Sequence, residues 1–301
     1  MHTAAATLLP ALLGQAGLPP DPECELVRQV APFSGVWRIR LERGGATVIY
    51  KESWAPLDRE AAALRYAESC GIPVPHVIAS HQDEAEGVAG ILMTDLGQPA
   101  RPAVDVDGAR LAVKVHQATG AGLPVIGARE LASMPGRIAE RASRHRLPVA
   151  TIETAAVIGL KARRLAAPAM VQPIGLCHSE WHPESILIDP DGQAHAYDWA
   201  RAFCGPGLLD LASWHGTVAP PNRVATRVLI EEYVKAGGNP RALDDRAGLP
   251  AEAWALGWHR VWAADWFAEQ LELGWVADQD QAAQREAIGR HVAEAAELLL
   301  T

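Results

Sequence analysis

Residues 177–199 read CHSEWHPESILIDPDGQAHAYDW, a run of histidines, glutamates and aspartates set around a short apolar segment. Groups of these types suit either a metal-assisted hydrolysis or a phosphoryl transfer. His178 and His182 stand four apart, as two zinc ligands would on a helix. The metalloprotease pattern, however, needs glutamate directly after the first histidine, where this chain has Ser179. Pro183 then argues against a continuing helix. The second chemistry fits the spacing better. Ile186 to Asp189 reads as a short strand, and Asp189-Pro190-Asp191-Gly192 as a turn in which Pro presets φ and Gly accepts a positive one. Gln193 to Asp198 reads as the returning strand, which brings Asp198 back beside residues 183–185. Glu180 enters just before. Glu180, Ser185 and Asp198 are thus expected to converge as oxygen ligands of the kind Mg²⁺ takes together with substrate phosphates. His178 reads as a hydrogen-bonded histidine that braces the loop.

The elements that must position these groups can be read outward from them. Trp37, Ile39 and Leu41 alternate with Arg38, Arg40 and Glu42, Gly44-Gly45 supplies a turn, and TVIYKE follows, so residues 36–52 are expected to form a hairpin. DREAAALRYAESCG has helical spacing, with Asp58 as expected N-cap and Gly71 as C-cap. IPVPHVIAS and GVAGILMTDL read as two more strands, and residues 96–104 have linker composition. From about residue 108 the pattern is helical, with helices expected again at 208–217, 221–237, 251–273 and 280–300. The outline is α+β: a small sheet with one helix, then a larger and mainly helical part.

The totals narrow the classes. The chain has 301 residues, ample for a core, and carries a formal net charge of −9, which speaks against nucleic-acid binding and favours a cationic small molecule. Cys24, Cys70, Cys177 and Cys204 form no C-x-x-C pair and read as reduced thiols of a cytoplasmic protein. Residues 1–20 lack Lys, Arg, Asp and Glu, but with no basic start and with Pro10 in the apolar run they read as a short helix rather than a signal peptide. No stretch suits a membrane span.

The order H-S-E-W-H-P-E-S-I-L-I-D, then Y-D-W, then G-P-G-L-L-D-L-A-S-W resembles the aminoglycoside phosphotransferase and choline-kinase-like family, whose pattern is H-G-D-x-x-x-x-N, then I-D-W or I-D-F, then G-x-x-x-x-D-L-A. The resemblance runs over nearly the whole chain. It implies a protein-kinase-like bilobal fold, with a nucleotide-binding lobe at 1–95, a hinge at 96–104, and a helical lobe with the catalytic hairpin and substrate site at 105–301. It also implies transfer of the γ-phosphate of ATP (or GTP), with Mg²⁺, to a hydroxyl of a small-molecule acceptor. Residue by residue, it makes Lys51 the strand lysine that holds the nucleotide phosphates and Glu60 its helix partner. Asp198 becomes the main metal ligand, and Asp210 the residue that orders the catalytic segment. Ser34-Gly35 stands where a phosphate loop belongs, without G-x-G-x-x-G. Thr94 and Leu96, in MTDLG, fall at the hinge that meets the base through its backbone.

Two positions depart from the family pattern: Glu180 replaces the catalytic aspartate and Ser185 the metal-binding asparagine. A glutamate sets its carboxylate one methylene further out, and a misplacement of about 1 Å can cost on the order of 100-fold. An active small-molecule kinase is therefore expected, with a catalytically impaired pseudokinase that binds a nucleotide or small ligand as the alternative. For the acceptor, residues 252–280 hold Glu252, Asp265, Glu269, Glu272, Asp278 and Asp280 against Arg260 alone. In the family such acids often hold cationic antibiotics, which makes an aminoglycoside-type acceptor the leading expectation; a solvated acidic face is the plainer one. Trp254, Trp258, Trp262 and Trp266 recur every four residues, either as core packing or as a cleft wall.

Overall fold

The computed structural model describes residues 8–30, 33–41, 45–120 and 122–301. In chain order its elements are α1 (Leu9–Ala16), β1 (Glu23–Val30), β2 (Ser34–Arg40), β3 (Thr47–Trp54), α2 (Glu60–Ser69), β4 (Val77–Asp83), β5 (Val88–Thr94), α3 (Asp105–Gln117), α4 (Ala128–Arg144), α5 (Val149–Ala166), β6 (Ile174–Cys177), β7 (Ile186–Ile188), β8 (Ala194–Ala196), β9 (Phe203–Pro206), α6 (Leu208–Ser213), α7 (Arg223–Lys235), α8 (Ala251–Glu272) and α9 (Gln281–Leu299). They form two compact units: residues 1–102 with 184–201, and residues 103–183 with 202–301.

The first unit is built on an antiparallel sheet of order β1-β2-β3-β5-β4. Period-two alternation gives it two different faces. Ile39, Val48, Tyr50, Ala79 and Leu92 form one face and are buried under Leu9, Leu12 and Leu13 of α1. Lys51, between Tyr50 and Glu52, points to the other. The expected 36–52 hairpin is present as β2 and β3, although Glu42 and Gly44 lie outside the described residues, as do residues 1–7 of the N-terminal stretch.

Three expectations change. A strand precedes the hairpin: β1 is the sheet's edge, largely exposed, and its alternation, Glu23-Cys24-Glu25-Leu26, is short and breaks at Val27. Ser34 and Gly35 consequently begin β2 rather than precede the first strand, and a Cβ at Gly35 would collide with the Trp37 indole folded over it, so packing accounts for that glycine. The N-cap of α2 is Arg59, because Asp58 instead accepts a hydrogen bond from Gln82 Nε2 at 2.7 Å. The C-cap also shifts, one residue earlier than expected, to Cys70, and Gly71 follows it at a positive φ of 74°. Finally, the hairpin β7–β8 groups with the sheet rather than with the helices. Ala100 N–H donates to Ile188 O at 2.8 Å, and Ala196 N–H to Pro73 O at 3.0 Å.

The second unit is helical around α8, whose residues are buried on nearly every side, the pattern of a central helix. Trp254 and Trp258 are fully buried and Trp266 is nearly so, while Trp262 is half-buried. The tryptophan repeat is therefore mostly core. Among the described residues, no helix is long and apolar enough to cross a membrane. The four cysteines are free thiols. A two-stranded ribbon, β6 against β9, runs through this unit, with Cys177 opposite Phe203. Leu176 N–H donates to Ala118 O at 2.7 Å, and a Cβ on Gly175 would collide with the carbonyl oxygens of His116 and Ala118. Backbone cannot yield as a side-chain tip can. Gly175→Ala is predicted to destabilise the protein by about 1–3 kcal/mol or more, read as a lowered midpoint in urea unfolding, whereas Gly136→Ala, inside α4 where the added Cβ meets nothing within 4 Å, raises that midpoint slightly, by about 0.5–1 kcal/mol of helix propensity.

Candidate active site

Lys51 lies on β3 with its side chain almost wholly buried. Its Nζ sits 2.6 Å from Glu60 Oε2 and 2.5 Å from Asp198 Oδ1. Burial disfavours the ammonium charge, but Asp198 and then Glu60 outweigh it and hold the Lys51 pKa above the ordinary lysine value. Burial pushes the Glu60 carboxyl up, against the pull of Lys51. The second oxygen of Glu60 accepts the backbone N–H of Trp199 at 3.0 Å. Glu60 thus orients the lysine and also fixes the chain just after Asp198. Asp198 adopts φ 69°, left-handed backbone that a non-glycine residue seldom takes. Such strain persists where the surroundings impose it, typically at functional positions.

The hairpin delivers Asp198 to this point. Gly192 closes the turn at φ 83°, and Gln193 N–H donates to Asp189 Oδ1 at 2.8 Å. Tyr197 N–H then donates to Ser185 O at 3.1 Å, which sets Asp198 one residue beyond a partner of Ser185. Ser185 is buried and Asp198 half-buried. The chemistry of these donors is a carboxylate and a hydroxyl, both hard oxygen ligands. At the end of β5, Thr94 N–H donates to His76 O at 3.0 Å. The next residue, Asp95, is gripped by Arg38 Nε at 2.6 Å and Thr47 Oγ1 at 2.8 Å. Burial works against ionised Asp95, but Arg38 leads the contacts that hold its carboxyl below the usual range. Thr94 and Leu96 therefore flank a pinned residue.

In the second unit the loop after β6 carries His178 and Glu180. Asp210, fully buried on α6, accepts the backbone N–H of His178 and of Ser179, each at 2.8 Å. His116 Nε2 approaches the same carboxylate at 3.3 Å. Ser213 Oγ donates to Trp181 O at 2.9 Å. The loop is held from beneath at three successive places, and Ser179 takes φ 82° within it. His178 is fully buried with its ring edge-on to Trp181, so its position suits bracing, while Glu180 is half-buried. His116, Cys177 and Asp210 bring potential ligand atoms within 4.8 Å of one another. Burial and then Asp210 push the Cys177 thiol well up, and the Asp210 oxygens already receive N–H groups, so the cluster serves as a brace.

The acids of residues 252–280 are mostly engaged. Asp265 receives Arg137 at 2.5 Å and Arg141 at 2.7 Å, and Arg141 also reaches Glu269 at 3.6 Å and Glu272 at 2.8 Å. Glu252 pairs with Arg223 at 3.1 Å. The partnering arginines come from α4 and α7, distant in sequence. His215 stands 3.9 Å from Asp105. The sequence singles out Lys51, Glu60, Asp198 and Asp210; it gives no sign of His116 beyond a lone histidine in a helical segment, which the structure sets against Asp210.

A sequence profile of the phosphotransferase enzyme family matches residues 49–249. Among curated proteins no sequence matches significantly. Solved structures share the fold at low identity. A spectinomycin phosphotransferase solved with ADP and spectinomycin superposes at a TM-score of 0.61 with 12% identity, covering 99% of each chain. The macrolide 2'-phosphotransferase of Brachybacterium faecium gives 0.62 and 18%, covering 93% of this chain and 97% of that one. A choline kinase from Streptococcus pneumoniae gives 0.60 and 12%, covering 90% and 93%.

Removing Asp210 would orphan two buried N–H groups at about 1–3 kcal/mol each. Asp210→Ala is predicted to lower stability by about 2–6 kcal/mol in urea unfolding, and Asp278→Ala, whose carboxylate accepts among the described residues only from Gln281, by less than about 0.5 kcal/mol.

Proposed function

The chain belongs to the phosphotransferase enzyme family, and from that premise we propose that it is an ATP- and Mg²⁺-dependent O-phosphotransferase of the cytoplasm acting on a small hydroxylated molecule. The observation that carries this reading is the buried Lys51 between Glu60 and Asp198. One ammonium against two carboxylates leaves a formal charge of −1 where a divalent cation and a polyphosphate would complete the balance. Asp198 and Ser185 fit Mg²⁺ in donor type, although they supply fewer protein ligands than an aspartate and asparagine would. When bound, Mg²⁺ would neutralise charge on the phosphates.

Lys51 would donate hydrogen bonds to the nucleotide phosphates, kept in place by Glu60. Thr94 and Leu96 would present backbone to the base beside the pinned Asp95. The loop that Asp210 holds carries Glu180, which would accept the hydrogen of the acceptor hydroxyl. Because the transition state is loose, its task is mainly to position that oxygen. GTP is the alternative donor on the same contacts.

The family resemblance puts an aminoglycoside-type antibiotic first among acceptors. The α8 acids that would receive such a polycation are engaged by Arg137, Arg141 and Arg223. That supports a less cationic hydroxylated acceptor as the rival. A second reading, a catalytically impaired nucleotide or ligand binder, is favoured by Glu180 and Ser185 in place of the family's residues.

The test is transfer of labelled γ-phosphate from ATP to a panel of aminoglycosides, neutral sugars, macrolides and amino alcohols. Transfer to at least one class is expected. Glu180→Gln should lower its rate by about 100-fold or more, the usual weight of a positioned base. ATP binding with no transfer to any class would support the binder instead.

A further inference from the structure

The nucleotide-binding reading leaves one gap: among the described residues no glycine-rich loop stands ready to cover the phosphates. Ser34 and Gly35 lie within β2, and Gly35 serves the Trp37 side of the sheet. Edge strand β1 contains an irregularity that bears on this. Its register against β2 runs Glu25 to Arg38 and Leu26 to Trp37, then skips Val27 and resumes with Arg28 opposite Val36. Val27 is an extra residue, a β-bulge, and bulges re-aim side chains. In the next strand pair, Val36 lies opposite Lys51. Directly paired residues share a face. Arg28, Val36 and Lys51 therefore form one cross-strand row on the face that carries Asp198. Without the bulge, Val27 would occupy the place of Arg28.

Two further observations concern Arg28. It is exposed and takes part in no ion pair among the described residues. It also lies near enough to the hairpin to interact electrostatically with Tyr197. Tyr197 is the residue before Asp198. Arg28 thus stands two strand spacings, about 10 Å, from Lys51 at the backbone, with Val36 presenting a small apolar side chain between them.

We propose that Arg28, turned by the Val27 bulge onto the Lys51 face, is a nucleotide-binding residue that holds the polyphosphate in place of a glycine-rich loop. Its guanidinium supplies forked N–H donors suited to phosphate oxygens. Lys51 holds one part of the polyphosphate and Arg28 another, across Val36. This rests on the nucleotide-binding reading above.

The test is calorimetry of the full chain with Mg·ATP, ADP and adenosine, for wild type, Arg28→Ala and Arg28→Lys. Loss of a charge-assisted hydrogen bond predicts Mg·ATP binding weaker by about tenfold or more in Arg28→Ala. Adenosine affinity should not change, and Arg28→Lys should recover part of the loss. Equal Mg·ATP affinity in wild type and Arg28→Ala would overturn the proposal and leave Arg28 a solvated edge-strand charge. Wild type that binds none of the three would overturn the nucleotide reading and this inference together. Should Arg28→Ala melt early, Arg28→Gln, which keeps the stem through Cδ without the charge, replaces it in the same comparison.

Discussion

Lys51 is enclosed by a closed circuit: its ammonium meets Glu60 and Asp198, Asp198 continues into Trp199, and the Trp199 N–H returns to Glu60. Burying such charges is costly. The effective penalty is several kcal/mol per ion, and apolar replacements of similar size often stabilise a protein. Packing therefore gives no reason for this arrangement, whereas phosphate binding does. The rest of the first unit answers to the circuit. Sheet alternation sends Lys51 away from the α1-covered face, α2 begins at Glu60, and the β7–β8 hairpin turns back at Gly192 so that Asp198 arrives in its left-handed conformation.

The second unit solves a different problem, that of holding a loop with few regular hydrogen bonds. A carboxylate can accept several N–H groups at once, and Asp210 accepts those of His178 and Ser179. His116 approaches the same oxygen, Oδ2, that accepts the His178 N–H. The helix bearing Asp210 packs on α8, whose tryptophans make it a rigid support. Bulk on α8 thereby serves the placement of Glu180, although neither is near the other in sequence. The acids of α8 have a similar structural use, since their arginine partners tie it to α4 and α7.

Much of this was legible from local pattern. The β2–β3 hairpin, the 177–199 turn and the longer helices follow from alternation, Pro-Asp-Gly chemistry and helical spacing. Lys51, Glu60, Asp198 and Asp210 stood out because their spacing resembles a known family, and the structure pairs Lys51 with Glu60 and Asp198. What failed to show had non-local or weak signals. β1 is an exposed edge whose alternation stops after Leu26 at the Val27 bulge, and with it went the register that places Arg28. β6 and β9 are four residues each and pair across a long separation. Asp58 looked like a cap until Gln82, far along the chain, was seen to take it. Asp265 and Glu272 looked available because their arginines lie more than a hundred residues away in α4.

The central claim is that the charges round Lys51 form a working metal–nucleotide site despite Ser185. It is tested most directly by titrating ATP into the protein with and without Mg²⁺, beside Asp198→Ala. The account predicts binding that Mg²⁺ strengthens in the wild type and that Asp198→Ala weakens. Binding of equal strength with and without the metal, or unaffected by Asp198→Ala, would contradict it.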